Sequence, residues 1–298
     1  MNPMSEQDLP PARHRLLKEH LMTEIRREEP QRSRRWLRPA LAGAAVAAVA
    51  AVAVTVAVPF GSASQPHASR EATALLGHIA LAAEHEKTPA GIRDDQFVYI
   101  RSRVAFTVSE NNGPAKLEPV HDREVWLSVD GTRNGLLEED TPDNEHVSLG
   151  KKDKRAGEWS AYYRDLAELP TGTGAMHDWL YRVSAREVEA ERPDRDDAAF
   201  TLFGDLIKES LMPPEVSAAL YRAAATIPGV DVVHHVEDLT GRKGVAITRT
   251  SGKVRVQLIF DEKTYAFLGE RMYDQHGTSM GGTSVMARAV VDRAGERP

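Results

Sequence analysis

The chain has 298 residues and no cysteine, which excludes disulfides, Cys-ligated metals and thiol nucleophiles. Its net charge of −6 is unevenly spread: residues 1–58 hold nine Lys/Arg against six Asp/Glu, and residues 59–298 hold 29 against 38. An acidic C-terminal part argues against a nucleic-acid partner, since phosphate backbones demand a concentrated basic face.

In chain order, residues 11–28 read as a short amphipathic helix. Leu17, Leu21 and Ile25 recur every four residues with Met22 beside them, while Arg13, Lys18, Glu19, Glu24 and Arg27 occupy the other faces. So short a helix is marginal alone in water, so it calls for a partner surface. Two surfaces fit: a groove on a cytoplasmic protein, and the anionic inner leaflet.

Residues 40–58 contain ten Ala, six Val and one each of Leu, Gly and Thr, without a charge. At about 1.5 Å per residue this run spans roughly 28 Å, close to the hydrocarbon thickness of a bilayer. Arg26, Arg27, Arg32, Arg34, Arg35 and Arg38 precede it, and the first cation after it is Arg70. The positive-inside rule therefore puts the N-terminus in the cytoplasm. A cleaved export signal is the competing reading, with Ser33-Arg34-Arg35-Trp36-Leu37 as a twin-arginine segment and Ser62-Ala63-Ser64 as a cleavage site. The long leader and the length of the apolar run favour a retained anchor. The organisation that follows is a cytoplasmic arm (1–38), a transmembrane helix (39–59), a linker (60–68) and an extracytoplasmic domain (69–298).

That domain opens with Ser69 as a helix cap before the stripe Ala72, Leu75, Leu76, Ile79 and Ala83. Strands follow. Val98, Ile100, Val104, Phe106 and Val108 alternate with Arg101, Arg103 and Thr107, the pattern of a half-solvated antiparallel strand. Val125, Leu127 and Val129 lead into Asp130-Gly131, a hairpin signal, with a return strand through Leu136 and Leu137. Residues 141–157 read as a charged loop and 159–163 as a strand. Helices are predicted from Thr173, through Phe200 to Leu211, and from Pro214 to the Pro228-Gly229 stop. A meander closes the chain, with strands at 230–236, 242–250, 253–260 and 264–273 and a last one through Val285, Ala287, Ala289 and Val291. The fold class is α+β: an antiparallel, half-barrel-like sheet with helices packed on one side.

With Val125-Trp126-Leu127-Ser128-Val129-Asp130-Gly131, Ala219-Leu220-Tyr221-Arg222-Ala223, Ile227-Pro228-Gly229-Val230 and Leu258-Ile259-Phe260-Asp261 in view, the chain resembles a group of actinobacterial single-pass membrane-anchored proteins of unknown function, nearly end to end. The order of its elements is also similar to the half-barrel of the LolA and RseB class. That second likeness implies a concave sheet binding lipid, lipoprotein or an exported peptide, and it transfers no residues.

Three motifs could carry chemistry. Gly277-Thr278-Ser279-Met280-Gly281 matches G-x-S-x-G, yet no His follows Ser279, and a nucleophile elbow needs a strand before it and a helix after it. His234-His235 falls on a predicted strand, which sends the two rings to opposite faces, one exposed and one packed. The acidic run Glu138-Glu139-Asp140, with Asp143 and Glu145, lacks the spacing of a calcium loop. The sequence therefore predicts no cofactor, no metal and no catalytic residue. It predicts a membrane-anchored binding or sensing protein whose outer domain meets an envelope ligand. Leu17, Leu21 and Ile25 would contact a cytoplasmic regulator such as a sigma factor. The alternatives are an anchored lipid or lipoprotein carrier or chaperone and, more remotely, an exported serine hydrolase.

Overall fold

The computed structural model describes residues 67–86, 89, 91–108, 116–141, 146–152, 160–185 and 194–298. The arm bearing Leu17, Leu21 and Ile25 and the apolar run at 40–58 lie outside them. No helix among the described residues is long and apolar enough to cross a membrane.

Helix α1 (Arg70–Glu84) starts where Ser69 Oγ accepts from Ala72 N at 3.1 Å, and it buries Ala72, Leu76, Ile79, Ala80 and Ala83. Strand β1 (Phe97–Val108) comes next, then β2 (Lys116–Leu117), β3 (His121–Ser128), β4 (Gly135–Glu139) and β5 (Val147–Leu149). Helices α2 (Tyr163–Ala167), α3 (Thr173–Ala185), α4 (Arg195–Glu209) and α5 (Pro214–Ala224) form the middle. Pro214 at the first position of α5 gives up no hydrogen bond there, because that N–H would be an orphan in any helix. The chain ends in β6 (Asp231–Glu237), β7 (Lys243–Ser251), β8 (Val254–Phe260), β9 (Phe267–Tyr273) and β10 (Ser279–Val291).

All ten strands join one antiparallel sheet in the order β5-β4-β3-β1-β10-β9-β8-β7-β6, with β2 off the path beside β1. The first and last long strands thus lie side by side at its centre. One face meets the helices. Val98, Ile100, Ile247, Leu258, Phe260 and Val285 pack there with Leu76, Phe203, Leu206 and Leu220. Sequestering side chains of this size stabilises by about 1.5–3 kcal/mol each.

Several expectations need correction. Strand β1 is not half-solvated at its start, because Phe97 and Tyr99 on the outer face are buried with Trp126, Leu136 and Val291. The cover there includes the C-terminal segment, where the Trp126 indole N–H donates to Glu296 O at 2.6 Å. The charged loop contains β5, paired to β4 through Leu136↔Ser148. Residues 160–162 form no strand, and Tyr163 opens α2. The last strand begins at Ser279 rather than near Val285, so Ser279, Met280 and Gly281 of the motif lie inside the sheet.

Candidate functional site

The motif residues are structural. Ser279 starts a strand, paired with Tyr273, where an elbow would place it at a strand-to-helix turn. Its hydroxyl accepts from Arg271 Nη2 at 3.1 Å and from Gly281 N at 3.3 Å. His234 and His235 sit at a register shift in β6, and His235 has φ +54°. Both rings are consequently exposed, contrary to the expected one-in, one-out arrangement. His234 Nε2 lies 2.6 Å from Glu71 Oε1, which ties β6 to α1.

The acidic run is dispersed among cations. Glu138 pairs with Arg297 at 2.8 Å, and Glu139 with His121 at 2.9 Å. Asp143 and Glu145 lie outside the described residues. No group of three or more His, Asp or Glu among the described residues could hold a metal ion.

Two charged features come from packing. Beneath α4, Lys208 Nζ lies 3.2 Å from Glu270 Oε1 and 3.4 Å from Asp205 Oδ1. Burial alone would lower the Lys208 pKa; the charges of Glu270, Asp205 and Glu209 outweigh it and hold the ammonium above the ordinary lysine range. At the other end of α4, Arg249 from β7 donates from Nη2 to Asp194 Oδ2 at 3.0 Å and from Nε to Pro228 O at 3.0 Å, and its Nη1 meets Asp197. Asp194 caps α4 through the N–H groups of Asp196 and Asp197. One arginine thus fixes both the start of the helix and the loop before β6.

Beside this anchored helix end opens a groove of about 600 Å³, lined by His177, Asp178, Tyr181, Arg182, Ala185, Arg195 and Asp196. That volume falls within the range of small-ligand and peptide-side-chain sites. His177 and Tyr181, one turn apart on α3, stack with centroids 4.5 Å apart. His177 Nδ1 is 2.8 Å from Thr226 Oγ1, and the Tyr181 hydroxyl donates to Asp196 Oδ1 at 2.8 Å. Burial and then that hydrogen bond push the Tyr181 pKa well above the ordinary phenol range, so the hydroxyl stays a donor at neutral pH. Charges of both signs around an aromatic floor suit a polar, peptide-like ligand better than an acyl chain. None of these residues stands out as a site in the sequence, where α3 and α4 read only as helices. The one signal available was the polar face of α3, opposite the Met176, Leu180 and Val183 stripe.

No protein-family profile matches the chain, and no curated protein matches it. Several solved structures superpose on it loosely. MucB in the Pseudomonas aeruginosa MucA/MucB complex is 14% identical over 75% of this chain, with a TM-score of 0.25. The chain spans only 58% of the length of that protein. A LolA superfamily protein from Nitrosomonas europaea is 12% identical, covering 74% of this chain and 94% of its own, with a TM-score of 0.22. A putative outer membrane lipoprotein-sorting protein domain from Vibrio parahaemolyticus is 11% identical, covering 72% and 91%, with a TM-score of 0.23. Superpositions this loose transfer neither ligand nor partner to this chain.

Proposed function

We propose that the chain is a non-enzymatic binding or sensing protein of the cell envelope. Residues 39–59 hold it in the membrane, and residues 69–298 face outward. The groove between α3 and the start of α4 takes a polar segment of an envelope partner. The arm, through Leu17, Leu21 and Ile25, reports to a cytoplasmic regulator, with a sigma factor as one candidate.

The observation that carries the reading is the contrast between the groove and the sheet–helix interface. A lipid carrier needs an apolar cavity against its sheet. Here Phe203, Phe260, Leu206, Leu220 and Leu258 are at most 1% exposed, so no water-sized void opens against them. Such close packing leaves those side chains no room for an acyl chain. The recognisable polar constellation lies at the surface instead.

Cross-linking of the full chain in native membranes tests both halves. Deleting residues 1–30 removes the cytoplasmic partner and spares the outer one. Tyr181→Ala with Arg195→Glu does the reverse. A cytoplasmic interaction that survives the deletion sinks the signalling half, and an outer one that survives the groove changes sinks the other.

A further inference from the structure

Where Trp126 meets the C-terminal segment, the outer face of the sheet has the form of a filled binding site. Glu124 on β3 and Glu138 on β4 are direct cross-strand partners, and the next pair along that face is Trp126 with Leu136. Two carboxylates opposite each other repel, so a strand pair that carries them needs a cation between them. Arg297 fills that place. Its Nε donates to Glu124 Oε1 at 2.9 Å, and its Nη2 donates to Glu124 Oε2 at 2.6 Å and to Glu138 Oε2 at 2.8 Å. The guanidinium carbon stands 5.7 Å from the Trp126 ring centroid, and the indole N–H donates to Glu296 O at 2.6 Å. From the neighbouring strand β1, the Tyr99 hydroxyl donates to Glu124, and its ring lies 5.2 Å from that of Trp126. His146, with a side chain 70% exposed, also reaches Glu138, at 3.3 Å.

The receiving residues stand on three adjacent, hydrogen-bonded strands, so their arrangement does not depend on the guest. The guest is held differently. Residues 293–298 form no helix or strand, and the Arg297 side chain is 57% exposed, against 13% for Glu124 and 27% for Glu138. Ion pairs of so exposed an arginine add little to stability, so the tail can exchange with a competitor. Lifting the tail leaves facing carboxylates and an uncovered indole. A replacement must therefore bring its own guanidinium, with a backbone carbonyl one residue before it for the indole N–H. A single ammonium could not bond one carboxylate through two nitrogens while stacking on the ring, which selects arginine over lysine. Reading a side chain and a main-chain carbonyl together is peptide recognition. We propose that Tyr99, Glu124, Trp126 and Glu138 form a site for an extended, arginine-bearing segment of a partner protein, and that the chain's own tail occupies it as an intramolecular competitor. The site lies on the face of the sheet away from α3 and α4 and does not depend on the groove between them.

Titration of the full chain with a synthetic peptide of residues 293–298, followed at the Trp126 indole N–H resonance, tests this. The resonance is assigned by its absence from Trp126→Phe. Arg297→Ala empties the site without shortening the chain. A tail closed about nine-tenths of the time weakens a competitor about tenfold, so the peptide should bind Arg297→Ala about tenfold more tightly than wild type. The same peptide with citrulline in place of its second arginine should not bind. No shift of the resonance in Arg297→Ala at millimolar peptide overturns the site. Equal affinity for wild type and Arg297→Ala overturns the competition by the tail. Binding that persists in Glu124→Gln/Glu138→Gln puts the peptide elsewhere and also overturns the site. If that double variant fails to fold, Glu138→Gln alone is compared, with the dispersion of its amide spectrum as the folding control. A wild-type dimer that Arg297→Ala abolishes assigns the site to the tail of a second copy and overturns the partner segment.

Discussion

Lys208 and Glu270 form an ion pair, 3.2 Å apart, with side chains 4% and 8% exposed, that fixes α4 on the middle of the sheet. Glu270 lies opposite Leu258 on β8 and Thr283 on β10, so the pair sits within the layer that otherwise holds Leu258, Phe203 and Leu206. Removing Lys208 leaves the Glu270 carboxylate uncompensated in an apolar layer, and removing Glu270 leaves Lys208 with only the more exposed Asp205 in contact. Glu270→Leu should therefore cost about 3–5 kcal/mol, and Lys208→Met a similar amount. Lys208→Met with Glu270→Leu should recover most of the loss, because an apolar pair of similar volume incurs no desolvation penalty. Urea midpoints for the two single variants and the double variant check this. Simple additivity of the two losses would mean that the pair does not act as a unit.

His121 gives a pH dependence. Its Nδ1 lies 3.0 Å from Pro119 O and its Nε2 2.9 Å from Glu139 Oε1, so both nitrogens face acceptors and only the protonated ring can donate to both. Burial alone would lower the pKa; the bonds to Glu139 and Pro119 outweigh it and raise it above the ordinary histidine value. A raised histidine pKa contributes stability that is complete below the unfolded value. That contribution is lost as pH rises through the folded one. The stability gap between wild type and His121→Asn should be constant below about pH 6 and should shrink above about pH 6.5. A gap that instead grows with pH would mean that the ring is neutral in the fold.

Much of the architecture is legible because it is local. The alternation of Val98, Ile100 and Val104, the Asp130-Gly131 turn and the Pro213-Pro214 boundary each act within a few residues. Strand β5 escapes because three residues are too few for a period, and its place is set by pairing with β4. Glycine signals freedom in sequence, so Gly281-Gly282 does not read as strand, whereas here both residues are paired with β1 and β9. The groove escapes for a different reason: His177 and Tyr181 meet Arg195 and Asp196 only through the packing of α3 on α4. Nothing local to either helix records that packing.

The C-terminal segment should behave as a strap. Arg297 bonds both Glu124, at 2.6 Å, and Glu138, at 2.8 Å, and its guanidinium carbon lies 5.7 Å from the Trp126 ring centroid. The Arg297 hydrogen bond is the chief reason that the Glu124 carboxyl is held below 4.5, with burial opposing and the Tyr99 hydroxyl assisting. A depressed carboxyl stabilises above its unfolded pKa, and that contribution is lost as pH falls through the folded value. Arg297→Ala should therefore move the Glu124 titration upward in a carboxyl NMR experiment. Removing residues 293–298 should also expose the indole and shift its fluorescence to the red. An unchanged Glu124 titration would show that the contact does not persist in solution.

At Gly281 backbone geometry leaves little choice of residue. It has φ +117°, and a Cβ there would stand 2.0 Å from Ala105 O on the paired strand. The conformation alone disfavours any other residue by about 1–3 kcal/mol, and the collision adds displacement of β1. Gly277, in the turn before β10, has φ +80° but nothing within 4 Å of its Cβ position. It carries only the left-handed penalty, about 1–2 kcal/mol for a residue with a side chain. Gly281→Ala should therefore lower the thermal midpoint well beyond Gly277→Ala, and its exchange protection should fall first along β1 from Ala105 to Thr107. Equal losses from the two substitutions would mean that β1 and β10 separate at this point without cost. The central pairing of the sheet would then have to rest on residues 97–101 and their partners 287–291.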